Sequence, residues 1–116
     1  MKNKLHEIII ACIVLAMATA AAGIGTVSVT TSETQVLPAS TYRRWLVLQN
    51  NSTNDIYVKA DSSTNAVTVT NGIKVPANGG TFTITATGAA NPARNTIKAI
   101  SGTGTNTLTY QEGNEN

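Results

Sequence analysis

The sequence is poor in the residues that carry out chemistry. Its 116 residues include one cysteine and one histidine, and charged residues make up only 12% of the chain. Cys12 has no partner within the chain, so no intramolecular disulfide can form, and its place in an apolar run makes it a small apolar group. His6 precedes that run, so no serine, histidine and acid set can assemble in the rest of the chain. Histidines, cysteines and carboxylates are nowhere grouped at metal-ligand spacing. Gly102-Thr-Gly104 has no helical pattern after it and predicts a turn, not a phosphate loop. These shortages predict a protein that is not an enzyme and has no cofactor, metal or small-molecule substrate.

Charge is scarce in both signs. After Val27 the cations are Arg43, Arg44, Lys59, Lys74, Arg94 and Lys98, against Glu33, Asp55, Asp61, Glu112 and Glu115. They are scattered and nearly balanced, which leaves no basic stripe for a nucleic-acid backbone. The basic pair Arg43-Arg44 is expected at a strand edge or a subunit contact. Asn50-Asn-Ser52 and Asn51-Ser-Thr53 match the N-glycosylation pattern, as an Asn- and Thr-rich chain does by chance.

What the chain does have is a hydrophobic head and a long β-patterned body. Lys2 and Lys4 precede an uncharged run from Ile8 to Val27, whose most apolar part is Ile8, Ile9, Ile10, Ile13, Val14, Leu15 and Met17. Two readings stand. In one, a retained helix from Ile8 to about Gly25 spans a lipid bilayer, its ~20 residues at about 1.5 Å each matching a core of roughly 30 Å. In the other, the run is a secretory signal cleaved near the small residues Thr19-Ala-Ala-Ala-Gly23. Residues 1–27 are therefore assigned to a hydrophobic N-terminal helix and 28–116 to a separate domain.

That domain alternates with the period of a strand. Thr41 to Val58 predicts two strands joined by the polar turn Asn50–Asn54. The first has apolar groups on both faces, as a central strand would. In the second, Ile56, Val58 and Ala60 alternate with Tyr57, Lys59 and Asp61. Further strands are expected at Thr26–Thr30, before Pro38, at Ala66–Thr70, Ile73–Val75, Thr81–Thr87, Thr96–Ile100 and Thr107–Gln111. Asn71-Gly72 is expected to form a tight hairpin turn. Seven or eight short strands with frequent turns predict an antiparallel β-sandwich or jelly-roll-like domain. Its expected core is Trp45, Leu46, Val47, Leu48, Ile56, Val58, Val67, Val69, Phe82, Ile84, Ile97 and Leu108. A Thr-rich, weakly charged outer surface predicts self-association or docking through sheet edges and faces.

Several stretches resemble a family. Thr34-Gln-Val-Leu-Pro-Ala39, Tyr42-Arg-Arg-Trp-Leu-Val-Leu-Gln-Asn-Asn-Ser52 and Asp55-Ile-Tyr-Val58 are similar to a small β-sandwich module of bacteriophage virion proteins. Asn71-Gly-Ile-Lys-Val-Pro-Ala-Asn-Gly-Gly80, Ile97-Lys-Ala-Ile-Ser101 and Gln111-Glu-Gly113 continue the similarity, which runs from about Val27 to Gly113. The resemblance implies a decoration, spike or fibre-base component that is oligomeric, contacts other virion proteins and has no catalytic residues. The hydrophobic head departs from the family pattern. A retained anchor would suit a particle containing a lipid bilayer, or assembly at the host membrane. The alternative is a secreted or envelope-attached bacterial or prophage binding module with a cleaved signal.

Overall fold

Residues alternating between apolar and polar can bury one side of a strand and wet the other, and most of this chain does so. The computed structural model describes residues 23–61, 64–86 and 92–114. Eight strands form in order: β1 (Gly23–Val29), β2 (Thr34–Leu37), β3 (Trp45–Asn50), β4 (Ile56–Ala60), β5 (Ile73–Val75), β6 (Gly80–Thr85), β7 (Ile97–Ser101) and β8 (Asn106–Gly113). A 3-10 turn, Pro92–Arg94, precedes β7. The strands make two antiparallel four-stranded sheets, ordered β1-β8-β3-β6 and β2-β7-β4-β5. Packed face to face, they form a β-sandwich.

Register decides which residues meet in the middle. Leu46 and Leu48 of β3 lie level with Ile84 and Phe82 on one side and with Glu112 and Tyr110 on the other. Val29, Leu46, Leu48 and Leu108 of the first sheet are fully buried, as are Ile56, Val58, Val75, Ile97 and Ala99 of the second. Each large side chain removed from water in this way contributes about 1.5–3 kcal/mol. In β2 the pairing slips between Gln35 and Leu37, so Val36 and Leu37 both turn inward.

The structure departs from the sequence reading at five places. β1 begins at Gly23, so residues 23–27 are strand rather than helix. Backbone pairing with β8, from Gly23 opposite Glu112 to Val29 opposite Asn106, holds them in the sheet. The rest of the expected helix, including Ile8, Ile9, Ile10, Ile13, Val14, Leu15 and Met17, lies outside the described residues.

Ala66–Thr70 is not a strand. Both edges of β4 are already occupied, by β5 and β7, and the segment forms part of the loop that joins β4 to β5. Val67 anchors the loop: it is buried, and its N–H donates to Glu33 Oε2 at 2.7 Å. Val69 is 44% exposed. Asn71-Gly72 does not close a two-residue hairpin. Instead the Gly72 N–H reaches back to the Thr68 carbonyl, and Asn71 Oδ1 accepts from the Thr68 N–H.

Trp45 and Val47 point out of the sandwich and are only half-buried, while Leu46 and Leu48 fill its middle. Finally, Val29, Val36, Leu37, Val75, Ala93 and Ala99 belong to the buried set although they were not expected there. The turn from Pro76 into β6 matches its sequence signal. Asn78 and Gly79 take positive φ of 61° and 99°, which Asn and Gly tolerate.

Candidate assembly interface

The two outer faces of the sandwich differ in charge. On the β2-β7-β4-β5 sheet, Lys59 and Lys98 lie directly opposite each other, and Lys74 lies opposite Tyr57. Like charges in register repel, and carboxylates offset them: Lys59 reaches Asp61 at 3.7 Å, Lys98 reaches Glu33 at 3.8 Å and Lys74 reaches Asp55 at 4.0 Å. Part of this face is also covered by the 64–72 loop, with Lys59 Nζ donating to the Asn65 carbonyl and Glu33 Oε2 accepting from the Val67 N–H.

The outer face of the β1-β8-β3-β6 sheet carries no charge. β1 presents Ile24, Thr26 and Ser28, and β8 presents Thr107, Thr109 and Gln111. β3 adds Trp45, Val47 and Gln49, and β6 adds Thr81, Thr83 and Thr85 in a single row. Ile24 is 71% exposed. The Trp45 ring lies across Gly113, where a Cβ would come within 2.6 Å of Trp45 Cζ2. The glycine is what lets the indole lie flat on the sheet. Thr, Gln and a few apolar groups can be desolvated at far lower cost than Lys or Glu, so this face suits contact with another surface.

At the β6 border of the same sheet the sandwich is open. Ile73 faces inward level with Val58, yet it is 55% exposed, because none of the described strands covers it. Phe82 and Ile84 also face inward and are only half-buried. Together with Val58 they line a groove of about 420 Å³ between the edges of β5 and β6.

The two arginines expected at a subunit contact have different fates. Arg44 is exposed, and Arg43 is 2% exposed. Arg43 Nε donates to Glu112 Oε1 at 2.9 Å, Nη1 to the carbonyls of Ala93 and Asn95 at 2.9 and 3.0 Å, and Nη2 to the Pro38 carbonyl at 2.6 Å. Its guanidinium is therefore occupied within the domain, tying the β2–β3 and β6–β7 connections to β8, and is not at the surface. Extending the alternation of β3 outward would put Arg44 on the inner side with Leu46 and Leu48, so the sequence pattern points to the wrong arginine; the chain leaves strand geometry before Trp45 and turns Arg43 inward instead.

The two glycosylation patterns also separate. Asn50 is fully buried, its amide donating to the carbonyls of Asn54 and Val75 at 2.8 and 2.9 Å and accepting from Ser52. Asn51 is exposed and donates to Thr109 Oγ1 at 2.9 Å. Among the described residues no group of three or more His, Cys, Asp or Glu side chains could hold a metal ion, and no helix is long and apolar enough to cross a membrane. No protein-family model, curated protein or solved structure matches this chain.

Proposed function

We propose that this chain is a non-enzymatic structural component of a bacteriophage particle. The N-terminal segment holds it in place, and its sandwich docks through the uncharged face of the β1-β8-β3-β6 sheet. The observation that carries this reading is the contrast between the two faces, one laced with ion pairs and the other free of charge. Strand order supports it. Two sheets ordered β1-β8-β3-β6 and β2-β7-β4-β5 have the winding of an eight-stranded jelly roll, an architecture used in viral capsid and lectin domains. That support is analogy of fold alone. The resemblance of Tyr42 to Ser52 and of Asn71 to Gly80 to virion modules adds to it. Purified particles digested for mass spectrometry should contain peptides of this chain at a fixed ratio to the coat protein. Their absence from particles that retain infectivity overturns the reading.

The start of β1 favours a second reading. Because the sheet takes up the chain at Gly23, an uncharged helix has only Ile8 to Ala22 to draw on. Fifteen residues at 1.5 Å cover ~22 Å, less than the ~30 Å hydrocarbon layer and close to the apolar length of a secretory signal. Cleavage between Ala22 and Gly23 would release a complete sandwich as an exported or envelope-attached module. The intact mass of the protein from its native source separates the two. A mass of 12.1 kDa supports retention, and a mass lacking residues 1–22 supports export.

A further inference from the structure

We infer that two copies of this chain pair along β6 about a two-fold axis at Thr83, joining their four-stranded sheets into one of eight strands. The inference deepens the assembly reading by naming the partner surface and the first partner.

Among the described strands, β6 pairs with β3 alone. The Ala86 N–H donates to the Arg44 carbonyl at 2.6 Å, which makes those two a hydrogen-bonded pair. Bonded and non-bonded pairs alternate along an antiparallel ladder. Ile84 with Leu46 and Phe82 with Leu48 therefore continue the bonded series. Thr81, Thr83 and Thr85 turn their N–H and C=O groups to the open edge. An edge of this kind is normally blunted by charge, proline or a bulge. β6 has none of these: it reads Gly-Thr-Phe-Thr-Ile-Thr, and no charged residue occurs between Lys74 and Arg94.

The strand is complementary to itself. With the axis at Thr83, Thr83 faces its own copy and Thr81 faces Thr85, so each pair can exchange two backbone hydrogen bonds. On the inner side Phe82 faces Ile84, an aromatic and β-branched pair, and the outer threonines form a continuous row; both pairings are favourable across strands. The same approach covers Phe82, Ile84 and Ile73, the inward-facing apolar groups that the single domain leaves open to water. β6 itself carries no charge, and the two charged groups that line the groove beside it, Lys59 and Asp61, are opposite in sign.

The other three edges fit less well. β5 has three residues and exposes Lys74. β2 has a register slip and is flanked by Glu33 and Pro38. β1 places Gly23 and Gly25 on its inner side, where they offer no apolar contact.

The test uses the full chain in mild detergent, with Cys12→Ser removing the native thiol. Thr83→Cys should form a covalent dimer of twice 12.1 kDa on mild oxidation, while Thr107→Cys, on β8 of the same face, should stay monomeric. Thr83→Pro removes only an edge-facing N–H, a position where strands accept proline. By light scattering it should shift the protein from dimer to monomer with its circular dichroism unchanged. Thr83→Lys places two ammonium groups across the axis and should weaken the dimer by about tenfold at low salt, recovering as salt screens them. A wild-type monomer at ~0.5 mM overturns the inference. So does a dimer unaffected by both substitutions, or an open ladder of species crosslinked between Thr83→Cys and Ile24→Cys, since that joins β6 to β1 head to tail. A dimer from a protein that particles lack would refute the virion reading alone.

Discussion

Arg43 and Trp45 stand two residues apart and show how much one side chain's direction decides. Arg43 turns inward, and its guanidinium satisfies three backbone carbonyls and Glu112. Removing it leaves those acceptors and a carboxylate with only 14% exposure unpaired. Arg43→Ala should therefore destabilise the domain by about 3 kcal/mol in urea titration, whereas Arg44→Ala should change it by less than about 0.5 kcal/mol. Arg43→Lys should not rescue, because an ammonium cannot span the same fork of acceptors. Trp45, the single tryptophan, reports on its own seat. Gly113→Ala should lift the indole from the sheet, shift its fluorescence, and reduce stability by about 1–3 kcal/mol through overpacking.

At the scale of the element, position within the sheet outweighs residue type. Leu48 lies at the centre of β3 with strands on both sides and is fully buried. Phe82, level with it on edge strand β6, is half-buried. Leu48→Ala should accordingly lose about 2–5 kcal/mol, and Phe82→Ala should lose less despite the larger ring. Comparing the two denaturation midpoints at low protein concentration checks this. The same contrast holds in the loop that joins β4 to β5. Val67→Ala should be measurably destabilising, and Val69→Ala close to neutral, because only Val67 is enclosed. The alternation of Ala66 to Thr70 looks like that of a strand, but a strand also needs a neighbour with a free edge, and β4 has none.

At the scale of the whole described domain, the first and last strands close one sheet. β1 pairs with β8, so the first and last described strands share a sheet and cover Val27, Val29 and Leu108 together. A chain beginning at Gly23 should fold cooperatively, and one beginning at Thr30 should not, because losing β1 bares one edge of β8 and opens the core. Thermal unfolding followed by circular dichroism distinguishes them. Pairing of segments so distant in sequence also predicts slow folding, in the range of milliseconds to seconds.

Most strand positions, the inward sets of β4 and β6, the turn at Pro76–Gly79 and the mainly-β class of the described residues were legible in the residues themselves. They depend on alternation and turn chemistry, which act between near neighbours. The uncharged row Thr81, Thr83 and Thr85 was visible in the same way. Which strands became edges was not. That Phe82 and Ile73 stand open, that Arg43 is enclosed and that residues 23–27 join a sheet follow from pairings between segments far apart in the chain. Alternation states that a side chain has an inner face to turn toward, and only the packed sheets decide whether anything lies there to cover it.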